Sequence, residues 1–311
     1  MRLLFAGTPA TAVPALKALL ATGHDVVAVA TNPDAPIGRG RQVVASPVAT
    51  EAANCGIPLL QPQRVKEPWF GDAVAQLRVD AAVIVAWGAL IPDSLLNLPK
   101  HGWVNLHFSL LPAWRGAAPV QRALMAGDET TGVTTFRLVR EMDAGPVWRR
   151  QSVDITADET AGELLARLAS LGADTLLQTL ADIQAGVSPV PQPAGVSLAP
   201  KVTVGDARID WSAPAGVIHN LVRGTTPAPG AWTMFRGQRL KIGRTALVGS
   251  ARLPDVPTDL AAGQLVATRS GLFVGTGEGR LELLLVQGVG KPPTAGADWA
   301  RGARLGEDRC E

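Results

Sequence analysis

Trp103-Val104-Asn105-Leu106-His107, running on as Phe108-Ser109-Leu110-Leu111-Pro112, reads as a buried strand whose end carries polar side chains. Alternation along a strand puts Asn105 and His107 on one side and leaves Leu106 to anchor the core. Upstream, Arg2 to Ala6, Asp25 to Thr31 and Ala81 to Ala86 are short apolar runs of the same kind. Helical stretches separate them, from about Pro14 to Ala21 and from about Pro47 to Asn54, each with proline where a first turn tolerates it. Strand and helix in alternation predict a mainly parallel sheet with helices on its faces, and ligands bound beyond the carboxyl ends of its strands.

Working outward, Thr130 to Leu138 and Val147 to Asp154 are β-rich and flank Arg140-Glu141-Met142-Asp143-Ala144-Gly145-Pro146, which reads as a loop joining two strands. Leu164, Leu168, Leu171, Leu176, Leu180 and Ile183 then recur at helical spacing, with Asp158, Glu159 and Glu163 where the dipole favours acids. From Gly186 to Gly205 the chain is rich in Pro, Gly, Ser and Val, the composition of an extended connector. Beyond it, β-prone stretches around Trp232 to Phe235, Leu240 to Ile242, Gln264 to Ala267, Leu272 to Val274 and Leu281 to Val286 predict a small antiparallel barrel. A chain of 311 residues favours two domains over one. The expected division is 1–187, a linker at 188–206, and 207–311.

Hydrophobic content of 47% with interspersed charges argues for a folded protein. The net charge of +2 announces no general nucleic-acid surface, so any such surface comes from local clustering. Cys55 and Cys310 lack metal-ligand spacing, so no metal is expected. No apolar run reaches spanning length and the chain opens without a signal-peptide pattern; the expectation is the cytoplasm and no membrane. Gly7-Thr8-Pro9-Ala10 lacks the spacing that brings a dinucleotide pyrophosphate onto a helix, and no G-x-S-x-G elbow marks a serine hydrolase.

Acyl transfer requires a donor for the oxygen that becomes negative and a group that exchanges a proton near neutrality. Asn105 and His107 supply these, and Asp143, on a loop of the same domain, can orient the imidazole and favour its charged form. Taken alone, Asn-x-His at a strand end is more often structural than functional. His24, His101 and His219 lack an equivalent context and read as surface or satisfied structural residues.

The whole stretch from Asn105 through Trp114-Arg115-Gly116-Ala117-Ala118-Pro119 resembles the signature of the folate-dependent formyltransferases. The resemblance extends to Phe5-Ala6-Gly7-Thr8-Pro9, Pro33-Asp34 through Gly38-Arg39-Gly40-Arg41 with Ser46-Pro47-Val48, Asp143-Ala144-Gly145-Pro146 and Ala207-Arg208-Ile209-Asp210-Trp211. It implies an α/β Rossmann-like catalytic domain followed by a small OB-like β-barrel domain. The longer motif points to the branch that moves the formyl group of 10-formyltetrahydrofolate to the α-amine of initiator methionyl-tRNA. Asn105 would then donate to the formyl oxygen, His107 would stabilise the tetrahedral intermediate and help proton movement, and Asp143 would hold His107 and order water. Ser109, Leu110, Leu111 and Pro112 would line the folate site, with the backbone of Ala86, Trp87 and Gly88 receiving the pterin ring. The donor is already activated, so neither metal nor nucleotide is called for. The family also implies a monomer.

In tRNA-directed members an insertion like Asn32 to Ser46 reaches the acceptor stem, which implicates Arg39 and Arg41; this loop is long for a compact domain. Arg236, Arg239, Lys241 and Arg244 cluster around a predicted hairpin and could neutralise phosphates, although a solvated strand face would look the same. The resemblance favours RNA, because the family's second domain resembles an OB-fold that grips tRNA. Phe108, Trp87 and Gln42 depart from residues common in the family, which bears on pocket shape and on the acceptor-stem contact. The rivals are a formyltetrahydrofolate hydrolase or a sugar-nucleotide formyltransferase with the same three catalytic types; a purine-pathway transformylase would end near the seam. A non-catalytic RNA-binding protein on the same scaffold would not need all three.

Overall fold

The computed structural model describes residues 1–37, 42–248 and 255–311. Two compact units form, one from residues 1–119, 130–153 and 165–199, the other from 120–129, 154–164 and 200–311.

The chain begins β1 (Arg2–Gly7), α1 (Val13–Ala21), β2 (Asp25–Ala30), β3 (Ala35–Ile37), β4 (Gln42–Val44), α2 (Pro47–Asn54), β5 (Leu59–Leu60), α3 (Pro68–Leu77) and β6 (Ala81–Val85). It continues α4 (Asp93–Leu96), β7 (Trp103–His107), β8 (Arg115–Gly116), α5 (Pro119–Ala126), β9 (Thr130–Arg137), β10 (Val147–Asp154), α6 (Ala161–Gln184) and β11 (Leu198–Ala199). The first unit is built on a seven-stranded sheet of order β10-β9-β7-β6-β1-β2-β5. β5, β2, β1, β6 and β7 run parallel, and β9 joins β7 antiparallel. Because β1 is followed on one side by β2 and on the other by β6, the order reverses at β1, which opens a crevice at the carboxyl ends of the central strands.

The apolar runs became strands because helices cover both faces: all five residues of β6 are buried, as a central parallel strand requires. Gly7 ends β1 where an added Cβ would lie 2.9 Å from both the Ala12 Cβ and the Val85 carbonyl oxygen. Its task is close packing. α2 starts as its sequence suggests, with Ser46 accepting from the Ala49 amide at 3.0 Å and Pro47 in the first turn. α6 buries Leu164, Leu168, Leu176, Leu180 and Ile183 of the expected stripe and leaves Leu171 half-buried. Its start is a reciprocal cap, in which the Thr160 amide donates to the Glu163 carboxylate at 2.9 Å and the Glu163 amide to the Thr160 hydroxyl at 3.4 Å.

The second unit adds α7 (Ala215–Thr225), β12 (Ala231–Phe235), β13 (Gln238–Leu247), β14 (Leu265–Ala267), β15 (Leu272–Gly275), β16 (Arg280–Gln287), β17 (Thr294–Ala295) and α8 (Gly296–Ala303). Its antiparallel sheet has the order β12-β13-β16-β15-β14, with β17 against β16. Residues 308–311 bond to both edges: Met234 and Glu311 exchange backbone hydrogen bonds on the β12 side, while Leu265 donates to Asp308 and Cys310 to Gly263 on the β14 side. That segment curls the sheet into the expected small barrel. Ile218 and Val222 of α7, which no sequence pattern singled out, pack with Leu240, Ile242, Leu272 and Leu283 in its core. His219 on the same helix is buried and bonded to the Thr245 hydroxyl at 2.9 Å and the Ala157 carbonyl at 3.1 Å, a satisfied structural histidine.

Candidate active site

β6 and β7 lie side by side with Ile84 opposite Asn105, and their carboxyl ends open into a cleft of about 430 Å³. That volume suits a small-molecule ligand. Asn105, His107 and Asp143 all border it, two from the end of β7 and one from the loop between β9 and β10. His107 is almost wholly buried, and its Nε2 lies 2.9 Å from the Trp114 carbonyl oxygen. A carbonyl can only accept, so Nε2 carries the proton and Nδ1 is the basic nitrogen of the neutral ring. Nδ1 stands 3.8 Å from Asp143 Oδ2, close enough for charge interaction and too long for a direct hydrogen bond.

The charges oppose one another at His107. Burial pushes its pKa below the ordinary value, while the Asp143 carboxylate and the Trp114 carbonyl pull it back up; burial prevails. Asp143 is held in turn by the Gly116 amide, which donates to Oδ2 at 2.8 Å. Gly116 has a φ of +130°, and a Cβ there would sit 2.6 Å from the Ala199 carbonyl oxygen, so only glycine fits between β8 and β11.

Left-handed backbone concentrates around this cleft. Ala86 (φ +48°), Trp114 (φ +60°) and Asp143 (φ +50°) are non-glycine residues in that region, and Ala86 and Asp143 line the cleft while Trp114 holds His107. Such conformations persist where the surroundings enforce them and are frequent at functional sites. Elsewhere they have local causes, with Arg78 and Arg304 ending α3 and α8 and Arg236 sharing the tight β12–β13 turn with Gly237.

Ala86, Trp87 and Gly88 line the cleft, with Ile91 and Leu96 supplying apolar wall. Trp87 also packs inward, stacked against Trp103 at 6.5 Å between ring centroids. Ser109, Leu110, Leu111 and Pro112, which the resemblance assigns to the folate site, form the turn that follows His107, outside the residues that line this cleft. The Ser109 hydroxyl is buried and bonded to the Ala113 carbonyl at 2.6 Å, and Leu111 packs with Phe136 and Val147. This turn supports the wall from behind; Phe108, Gly116, Ala117 and Pro119 form it.

Arg39 and Arg41 lie outside the described residues. The four basic residues of the second unit divide. Arg239 lies 4.0 Å from the Trp232 ring centroid, with Lys241 directly across from Trp232 in the β12–β13 ladder. Arg208, which sequence reasoning passed over, approaches the same ring at 5.6 Å. Arg236 instead grips Asp308 with two bonds of 2.6 and 2.7 Å, and Arg244 pairs with Glu163 at 2.5 Å. Their charge is answered within the unit.

A Rossmann-like, mainly parallel sheet with a cleft at its strand ends, followed along the chain by a curled antiparallel sheet, is the architecture of a formyl transferase. Residues 1–180 match the family model described as formyl transferase, and residues 201–304 the model described as its C-terminal domain. The methionyl-tRNA formyltransferase of Streptomyces coelicolor is 55% identical over 310 residues, covering 99% of this chain and 98% of the relative. That of Thermobifida fusca is 53% identical with the same coverage. The solved methionyl-tRNA formyltransferase from Clostridium thermocellum superposes with a TM-score of 0.59 at 15% identity, over 81% of this chain and 95% of that one, a likeness of fold. The chain belongs to the formyl transferase family, among the methionyl-tRNA formyltransferases.

Proposed function

We propose that this chain transfers the formyl group of 10-formyltetrahydrofolate to the α-amine of initiator methionyl-tRNA, giving N-formylmethionyl-tRNA for translation initiation. The observation that carries the reading is the His107–Asp143 pair facing each other beside Asn105 in a cleft large enough for a pterin. Near full-length relatives bearing that activity in their names select the acceptor.

In this reading the pterin enters between Ala86–Gly88 and the apolar residues Ile91 and Leu96, which brings the formyl carbon to the strand ends. The amine nitrogen attacks that carbon, a C–N bond forms, and the carbonyl oxygen becomes negative. Asn105 donates to that oxygen. His107 takes the proton the amine must lose through the free lone pair of Nδ1, and Asp143 stabilises the imidazolium that results. The bond to folate N10 then breaks as a proton returns to that nitrogen, releasing tetrahydrofolate. The first unit supplies this chemistry, and the second grips tRNA through Arg239, Lys241 and Arg208 around Trp232. Arg39 and Arg41 are assigned to the acceptor stem on the resemblance alone.

The test is incubation with 10-formyltetrahydrofolate and methionyl-tRNA, followed by measurement of N-formylated amine. Parallel reactions with a sugar-nucleotide amine or with water alone as acceptor separate the rivals, and turnover only in one of those would overturn the assignment.

A further inference from the structure

Gln192 lies in the stretch whose composition suggested a passive connector, yet its carboxamide is fully engaged. Nε2 donates to the Asp143 carbonyl and to the Gly145 carbonyl, both at 2.8 Å. Oε1 accepts from Arg115 Nε at 3.2 Å and from Arg115 Nη2 at 2.6 Å. Two donors and two acceptor positions exhaust what a primary amide offers. The orientation is also fixed, since a flipped amide would set its oxygen against two carbonyls and its nitrogen against a guanidinium.

These contacts close a circuit. Trp114, Arg115 and Gly116 are consecutive: the first holds the His107 ring, the second holds Gln192, and the third holds the Asp143 carboxylate. Gln192 completes it by holding the Asp143 backbone, which sits in the left-handed region that a non-glycine residue leaves unless it is constrained. Gln192 is itself anchored from both sides. Val190 and Val147 exchange backbone bonds at 2.7 and 2.8 Å, and the Ser197 hydroxyl accepts from the Trp114 amide at 2.9 Å. Yet Gln192 does not border the cleft, so it has no direct claim on substrate.

We propose that Gln192 is a positioning residue for formyl transfer, clamping the Asp143 loop to Arg115 so that the carboxylate is presented to the imidazole of His107. The proposal rests on the reading of His107 and Asp143 as the working pair. The charged group facing His107 is Asp143; the Trp114 carbonyl and the Phe136 ring carry no charge, and Arg140 and Glu141 line the same cleft on the same loop.

The experiment compares the full-length protein with Gln192→Met, which keeps bulk and removes every hydrogen bond, and with Gln192→Glu, which keeps the acceptor for Arg115 and removes both donors. Both variants are expected to lose about tenfold or more in kcat, with KM for folate and for tRNA within about twofold, the pattern of a group acting on the transition state alone. The His107 ring, followed by NMR titration, is expected to titrate at lower pH in both variants, because the carboxylate that favours its charged form has drawn away. A lowered Tm with unchanged kcat and unchanged His107 titration would mean that Gln192 only fastens the chain, and would overturn the proposal; so would a change confined to KM. Absence of formyl transfer by the parent protein would reject the proposed function instead, and the His107 titration would still decide whether Gln192 controls Asp143.

Discussion

The Gly116 amide donates to the Asp143 carboxylate at 2.8 Å across 27 positions of sequence. That bond places the carboxylate 3.8 Å from His107 Nδ1 without letting it occupy the nitrogen, so the Nδ1 lone pair stays open while the charged form of the ring has a partner ready. The pair is therefore a product of backbone at two sites: a glycine made obligatory by its φ of +130° and by the closeness of β11, and an aspartate held at φ +50°.

Replacing Gly116 tests this arrangement. Gly116→Ala puts a Cβ 2.6 Å from the Ala199 carbonyl oxygen at a φ that L-residues avoid, which should cost about 1–3 kcal/mol of stability. The same shift moves the amide away from Asp143, so kcat should fall beyond what a lowered Tm explains. Thermal unfolding and single-turnover transfer at a temperature where the variant is folded separate the two effects; full activity there would deny the amide its part.

His107→Ala should lower kcat by about 10²- to 10⁴-fold, the usual contribution of a general base. Asn105→Ala should lower it by about 10²- to 10³-fold through loss of the oxyanion donor. Steady-state kinetics with each substrate varied check both. If Asn105→Ala weakened only donor binding, Asn105 would be a binding residue.

The pH dependence follows from burial. Because burial holds the His107 pKa below its ordinary value, the neutral ring that accepts a proton persists into mildly acid solution. Activity should fall on acidification only as pH passes through that depressed value, below the ordinary value for histidine. Asp143 raises the His107 pKa, so Asp143→Asn should move the acid limb to still lower pH while reducing the plateau. For stability the sign is the same: with a depressed folded value, His107 favours the native state above its unfolded pKa, and that contribution is lost as pH falls through the folded one. A kcat profile whose acid limb moved upward in Asp143→Asn would contradict the electrostatic role.

Much of this was legible in sequence where the signal is carried by side chains in local order. The apolar runs of β1, β2, β6 and β7 could be read because a sheet covered on both faces needs continuous hydrophobicity, and alternation set Asn105 beside His107. The contacts of Trp114 and Gly116 are backbone groups and leave no trace in residue type. Gln192 sits in a stretch whose composition reads as connector, and its partner carbonyl is 49 positions away. For Ser109 to Pro112 the limit is related: the strand pattern ends at His107, and nothing local tells whether the next turn faces the cleft or the core. Arg236 and Arg244 looked free because their partners, Asp308 and Glu163, lie 72 and 81 positions distant.

That division of the basic residues yields the last prediction. Arg239 and Lys241 alternate with the buried Leu240 and Ile242 on β13, so both project from the face that carries Trp232. Phosphates reaching this face would meet cations that no carboxylate answers in the contacts described, and an indole on which a base can stack. Arg239→Ala and Lys241→Ala should each raise KM for methionyl-tRNA, leave KM for folate unchanged, and flatten the salt dependence of RNA binding by about one unit of log–log slope. Arg236→Ala should behave differently. Its guanidinium ties the β12–β13 turn to Asp308 and to the carbonyls of Ala303 and Arg304, so its removal loosens the closure of the barrel and lowers Tm. Salt-titrated tRNA binding beside thermal unfolding for the three variants distinguishes these roles. A salt slope reduced by Arg236→Ala and untouched by Arg239→Ala would place the RNA on the turn and not on the strand face.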